Sequence, residues 1–446
     1  MEMNRDLKPR HLTMISIGGV IGAGFFLGAG QAISLTGSSV VLAYLLGGLI
    51  TLFIMMLLSE MAVANPVSGS FQVYAREAFG PYFGFITGWT YWLAFLIGPA
   101  SEAIAAGTFL NLWFPEIPIW VFCLIVAGSL TLVNMIGVHL FGEVEFWLSI
   151  VKVVALLAFI ICTLYALGFR DSSVASVANF SNSDSSFFAC GISGFIASML
   201  IVIFSFGGTE AIGTAAGESK NPEQDIPKTI RGTVLRISVL YVLSIGVLLC
   251  VLPWQQAGTA SSPYVDAFGI LGGPVAKNIM NFVVLTAALS CIDTGVYATS
   301  RMLHSLACDK YFPSWFAELH VKHKTPNNAI LISSLVLFLG ALIAILSPQA
   351  FTILASISGF GFIFTWLMIA LSQRKLRPKY SSENKLKYRA PFASIVQPIT
   401  VICLVLVLVG QIFSEDGRVT LIAGIAWLLF CSVYYFSVAK KKGVSK

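Results

Sequence analysis

Charge is scarce in this chain. Asp, Glu, Lys and Arg together make up 11% of 446 residues, and 57% are hydrophobic. A soluble domain could not cover itself with so little polar surface, so a soluble fold is excluded and a polytopic membrane protein is implied. The eight cysteines stand singly, several of them inside apolar runs (Cys123, Cys162, Cys250, Cys403). No CxxC or Cys/His cluster has metal-ligand spacing, so they read as reduced, buried packing residues and imply no metal or other cofactor. No Walker-type phosphate loop is present, which excludes direct ATP drive. The formal charge of +6 would suit nucleic acid, but Lys and Arg punctuate apolar segments rather than form a patch, so no nucleic-acid partner is expected. The apolar start is too long for a signal peptide, and similar segments recur to the C-terminus.

Stretches able to cross about 30 Å of hydrocarbon at about 20 residues each number twelve and run at residues 13–35, 39–63, 82–112, 118–137, 144–168, 188–215, 233–253, 277–304, 328–346, 350–373, 394–413 and 419–439. The fold class expected is therefore all-α integral membrane, with 12 transmembrane helices. With the N-terminus inside, 23 of the 27 Lys and Arg residues fall on the cytoplasmic side. Arg170, Lys277 and Arg418 lie outside, and Lys152 lies within a span. So one-sided a partition satisfies the positive-inside rule and puts residues 1–12 and 440–446, both termini, in the cytoplasm of a cell-membrane protein. Three longer cytoplasmic connections follow: 65–81, 218–231 and 308–327. The first, NPVSGSFQVYAREAFGP, keeps aromatic and apolar residues among its polar ones and reads as an amphipathic interfacial element or an ordinary loop.

Six glycines lie between Ile17 and Gln31 in GGVIGAGFFLGAG. Alone, this run reads as a close-packing face, since Gly18/Gly22 and Gly24/Gly28 each form GxxxG. A second run, Phe206-Gly207-Gly208-Thr209-Glu210, lies in span six. In two five-helix repeats followed by two extra helices, spans one and six occupy equivalent places. Interrupted helices in corresponding positions mark a transporter's midplane site, because free backbone groups cost several kcal/mol in lipid unless they line an enclosed cavity. The break in span one is expected at Gly22-Ala23-Gly24, leaving Gly18, Gly28 and Gly30 as close helix contacts. An exposed helix N-terminus there favours a carboxylate, and freed carbonyls favour an ammonium or cation; an amino acid satisfies both.

The sequence also resembles the amino acid permease branch of the amino acid, polyamine and organocation transporter superfamily. The resemblance rests on the first glycine run, on LLSEMAVANPVSGSFQVYAREAFGPYFGFITGW, on FSFGGTEAIGTAAGESKNPEQDIPKTIR with its Glu218, Asn221-Pro222 and Ile226-Pro227, and on TGVYATSRML. It covers essentially the whole chain. It implies a leucine-transporter-like 5+5 inverted-repeat fold with broken helices 1 and 6. The first repeat would span 13–168, the inverted second 188–373, and helices 11 and 12 would span 394–439.

Ionisable groups at membrane depth cost about 2.5 to 3.5 kcal/mol on insertion scales and need a partner or a role. Lys152, in SIVKVVALL, is either a snorkelling or structurally paired lysine or a buried amine able to gain and lose a proton. In the family a span-five lysine stands where sodium-coupled relatives bind sodium, which implies proton coupling through Lys152. Glu210 matches the family's GGTE pattern as a substrate-site or gating carboxylate, or else compensates a helix dipole. Glu102 is a substrate contact or a structural partner, and Glu60 a structural or gate salt bridge. Asp293 departs from the pattern: the branch has Asn-Ser-Gly where this chain has Asp293-Thr294-Gly295. An acid there could bind a cation, share a proton with Lys152 or select a substrate with an extra positive charge. In this fold the aromatic beside the span-six break, Phe206, closes over substrate; Ser205, Thr209 and Ser290 are further polar candidates.

The substrate-binding set expected is thus Ile21, Gly22, Ala23, Gly24, Phe25, Ser205, Phe206, Gly207, Gly208, Thr209, Glu210, Glu102, Ser290 and Asp293. The substrate carboxylate would meet amides near Gly22 to Phe25, and its ammonium the carbonyls of Ile21 and of Ser205 to Gly207. The function expected is proton-coupled amino acid uptake by alternating access, with amino acid/amine exchange or sodium coupling as alternatives. A membrane enzyme lacks a nucleophile-base pair, since the five histidines lie near span ends or in loops. Twin broken helices build an occluded site more naturally than a channel's continuous pore.

Overall fold

In the bilayer a helix satisfies every backbone group internally, so long aliphatic runs with few breakers become helices. The computed structural model describes residues 17–439 except 18, 68, 137, 170–173, 182–186, 212, 214–221, 259–261, 309, 311, 321–322 and 347–349. Residues 1–12 and 440–446, Gly18, Glu218 and Asn221, all invoked above, lie outside the described residues. The principal elements are α1 (Ala23–Phe26), α2 (Gly28–Thr36), α3 (Val40–Ala64), α4 (Ser70–Phe79), α5 (Pro81–Asn111), α6 (Ile119–Ile136) and α7 (Val138–Phe169). Then follow α8 (Gly191–Phe206), α9 (Pro222–Val251), α10 (Pro263–Cys308), α11 (Asn327–Leu346), α12 (Ala350–Ser382), α13 (Ala393–Gly410) and α14 (Glu415–Tyr434). Among the described residues nine helical stretches are long and apolar enough to cross a membrane; Gly191–Phe206 and Asn327–Phe338 are shorter apolar helices.

Several ends differ from those expected. The connection expected at 218–231 is helical from Pro222, so α9 begins well before residue 233; Pro222 opens it where the missing N–H is harmless, and Pro227 falls within its first turns. Similarly α10 begins at Pro263 rather than 277, with Gly273 at φ 75 separating an outer segment from the long inner one. The element at 65–81 is an amphipathic helix, α4, which buries Phe71, Gln72, Tyr74 and Ala75. Helix α5 packs most extensively on α10 and α12, α3 on α9, and α6 on α11. Outward-facing Leu132, Ile161, Ile192 and Ile422 leave an apolar exterior that suits lipid. The cysteines are free, but only some are the buried packing residues expected: Cys123, Cys250 and Cys431 are buried, whereas Cys162, Cys190 and Cys308 are exposed.

Two carboxylates anchor helix ends. Buried Glu60 accepts from Gln373 Nε2 at 2.8 Å and from the Ala390 amide at 2.6 Å, and it pairs with Arg377 at 3.4 Å, so α3 is tied to the end of α12 and the segment before α13. That is the structural salt bridge expected of it. Glu77 of α4 accepts from Lys379 Nζ and Tyr380 Oη, each at 2.7 Å. Partial burial pushes the Glu77 carboxyl up, but the hydrogen bonds from Lys379 and Tyr380 and the lysine charges outweigh it and hold it below its ordinary value of 4.5. A depressed carboxyl contributes stability that is present above the ordinary value and lost as pH falls through the lowered one. Acidification below about pH 4.5 should therefore lower the melting temperature of the detergent-solubilised protein more steeply in the wild type than in Glu77→Gln. Parallel acid profiles would contradict this coupling.

Candidate functional site: two facing helix breaks

Both glycine runs interrupt their helices, and the interruptions touch. In the first, Gly19 to Gly22 are non-helical, Gly22 is extended (φ −121, ψ −170), and helix resumes at Ala23. The break thus precedes the position expected: Ala23 and Gly24 open the following helix, because Gly19 and Gly22 supply the irregular backbone. In the second, α8 stops at Phe206 and the chain turns through Gly207 to Glu210. Gly208 has φ +100, and a Cβ there would lie 2.3 Å from the Gly19 carbonyl oxygen. Only glycine combines that backbone with so close an approach.

The groups freed in the first break have identifiable partners. The Glu102 carboxylate of α5 accepts from the amides of Ala23 at 2.7 Å and Gly24 at 2.9 Å. Lys152 Nζ of α7 donates to the Ile21 carbonyl at 2.8 Å, and Tyr241 Oη of α9 donates to the Val20 carbonyl at 3.0 Å. Cys291 Sγ of α10 reaches the Gly19 carbonyl at 3.4 Å, and the Gly22 carbonyl accepts from Phe25 and Phe26. In the second break, Glu210 accepts from its own turn at Gly208 N, 3.1 Å, and from Trp366 Nε1 at 3.1 Å. Thr209 Oγ1 donates to the Phe206 carbonyl, and Tyr241 Oη lies 3.2 Å from the Ser205 carbonyl. Ser205 Oγ crosses to the Gly24 carbonyl at 2.8 Å. Each such partner removes a penalty of several kcal/mol for an unpaired group in lipid.

Between the breaks lies a small cavity of about 30 Å³, walled by Gly19, Gly24, Glu102, Phe204, Gly208 and Cys291 among others. It has room for a water molecule but not for an amino acid. Of the expected set, Gly24, Glu102, Gly207 and Gly208 line it directly. Ile21, Gly22 and Ala23 form the break beside it. Phe25 stacks on Tyr241 with ring centroids 3.7 Å apart.

Two expectations fail on placement. Phe206 does not face the cavity: its ring packs between Tyr44 and Tyr241, with centroids at 6.1 and 5.1 Å. Residues two apart on a helix point about 200° apart, so Phe204 takes the cavity position instead. Asp293 is also absent from the wall. It accepts from Asn134 Nδ2 of α6 at 2.6 Å. Ser290 is brought to Lys152, which donates to its Oγ at 2.8 Å, and Ser290 in turn donates to Glu145. Glu145 and Tyr241 did not emerge from the sequence. Glu145, Ser149 and Lys152 stand at i, i+4 and i+7, one face of α7, and that spacing was the available signal.

The family model for amino acid permeases matches residues 11–442. The chain is 42% identical to a gamma-aminobutyric acid permease of Bacillus subtilis (strain 168), over 93% of this chain and 89% of that protein. It is 38% identical to the uncharacterized amino acid permease YtnA of the same organism, over 100% of this chain and 97% of that one. It is likewise 38% identical to the amino-acid permease RocE, over 99% and 96%.

The contact between the breaks predicts opposite outcomes at two glycines. Gly208→Ala, strained by about 1–3 kcal/mol in its backbone alone and colliding with Gly19, should lower the melting temperature and abolish amino-acid-induced thermal stabilisation. Gly246→Ala, in a helix interior with open space at its Cβ, should be neutral or slightly stabilising. Equal tolerance at both positions would contradict the contact.

Proposed function

Because the chain belongs to the amino acid permease family, we propose that it carries an amino acid across the cell membrane by alternating access, driven by the proton gradient. The observation that carries this reading is the junction of the two breaks, where one carboxylate (Glu102) and one ammonium (Lys152) lie on the backbone amides and the carbonyl of a single unwound segment. These are the two charges that a zwitterionic amino acid would bring. The substrate carboxylate would replace Glu102 on the Ala23 and Gly24 amides, and its ammonium would take carbonyls of the breaks now held by Lys152 and Tyr241. Phe204 and Phe362 would close the apolar side. Glu210 caps the second break, and its bond to Trp366 makes it a gate element between α8 and α12.

The layout proposed is twelve spans in a 5+5 inverted repeat, residues 13–168 and 188–373, followed by two helices at 394–439, with both termini cytoplasmic. Two features support it. The stretch Ala23–Ala64 covers two of the expected spans, and the shorter apolar helices stand at two more. In addition, three of the extensively packed helix pairs, α3 with α9, α5 with α10 and α6 with α11, are pairs that an inverted repeat makes equivalent.

Lys152, whose ammonium holds the Ile21 carbonyl where a cation would neutralise the break, supports proton rather than sodium coupling. In liposomes containing the purified protein, amino acid uptake should saturate, acidify the lumen and proceed without sodium. Lys152→Ala should reduce gradient-driven accumulation to the level of empty vesicles. Sodium-dependent uptake that survives Lys152→Ala would overturn the coupling, and uptake that requires preloaded substrate would point to exchange.

A further inference from the structure

Three helices bring a second polar cluster together behind the breaks. Glu145 and Ser149 of α7, Ser290, Asp293 and Thr294 of α10, and Asn134 of α6 are all buried. Ser290 donates to Glu145 Oε1, Ser149 donates to the same oxygen at 3.3 Å, and Asn134 donates to Asp293 Oδ1. Asp293 Oδ2 has no hydrogen-bond partner among the described residues, and Glu145 Oε2 has at most the nearby Thr294 hydroxyl. Ser290, Asp293 and Thr294, at i, i+3 and i+4, share the face of α10 that meets Glu145 through the Ser290 hydroxyl. Two ionised carboxylates sharing a dry site repel, and leaving charged oxygens buried without donors is costly; one proton held between them relieves both.

We propose that Glu145 and Asp293 form a proton-sharing carboxyl pair, joined to Lys152 through the Ser290 hydroxyl, and that this pair receives the proton Lys152 releases. The proposal rests on the proton-coupled reading above and adds the site to which the proton goes. In the transfer the Lys152 ammonium gives one N–H proton to Ser290 Oγ, while the Ser290 hydroxyl proton passes to Glu145 Oε1. One N–H bond breaks, one O–H bond forms on Glu145, and the serine ends as it began. With one proton already shared by the pair, the ammonium and the pair carry opposite unit charges before the step and none after it, so the net buried charge is zero throughout. Its consequence is at the break: a neutral amine no longer makes a charge-assisted bond to the Ile21 carbonyl, and that carbonyl is released to a substrate ammonium.

The titratable groups that face the cluster are Lys152 of the same helix, Cys291 of α10, and Glu102 of α5 across from Lys152. Asn134 presents only an amide. Asp293→Asn keeps the shape and an acceptor for Asn134 while removing one carboxyl, so it is the informative variant, with Glu145→Gln as the second and melting temperature as the control for folding.

Infrared difference spectra of the purified protein, taken between mildly acidic and mildly alkaline buffer, read the pair without transport. The wild type should show the carbonyl stretch of a protonated carboxyl that is lost in Asp293→Asn and in Glu145→Gln alike. In liposomes the pH of half-maximal uptake should move to lower values in Asp293→Asn, because Glu145 without its like-charged neighbour ionises more readily. Spectra unchanged by both substitutions would overturn the pair. So would stabilisation of the wild type by sodium but not potassium that Asp293→Asn abolishes, since the site would then hold a metal cation. Uptake without proton movement would overturn the coupled reading, and the infrared bands would still decide the pair.

Discussion

Everything around the two helix breaks follows from one constraint: inside a bilayer no water is available to pair a free amide or carbonyl. Unwinding a helix there is tolerable only if the protein supplies the missing partners, and side chains of the surrounding helices and of the second break do so. Glu102 supplies acceptors for two amides; Lys152, Tyr241 and Cys291 approach three successive carbonyls; Glu210 serves the opposite break. The charged residues at membrane depth are therefore not isolated costs. Glu102, Lys152 and Glu210 bond the irregular backbone directly, and Glu145 is joined to Lys152 through Ser290.

This arrangement also gives the site its capacity to change. A partner that is a side chain can be exchanged for a ligand group of the same charge, whereas a helical hydrogen bond cannot. The amides held by a carboxylate and the carbonyl held by an ammonium are thus both reserved and releasable. The close approach of Gly208 to Gly19 puts the two breaks in direct backbone contact, which suits the proposed mechanism in which two broken helices move together.

How much of this could be read from the sequence depended on how unusual each residue was in its setting. Glycine runs and lone charges inside apolar spans stand out, so both breaks and Lys152, Glu102 and Glu210 were visible. Boundaries were less so: α9 starts earlier than hydropathy implied because its first turns are polar yet still helical, and α10 because a helical segment continues before the Gly272-Gly273-Pro274 kink. Tyr241 was invisible because an aromatic in a membrane span usually only packs. Glu145 was hidden near the end of its span, beside Glu143, where carboxylates ordinarily meet the headgroups. Phe206 was preferred to Phe204 because the sequence does not fix the rotational phase of the last turn before a break. Asp293 stood out as a departure, but only three-dimensional placement separated it from the cavity and set it beside Asn134 and Glu145.

The exchange of Glu102 for a substrate carboxylate is the claim on which the transport account turns, and a structure of the protein with an amino acid bound tests it most directly. The account predicts the ligand carboxylate on the Ala23 and Gly24 amides with the Glu102 side chain displaced. A bound amino acid elsewhere, with Glu102 still on both amides, would contradict it.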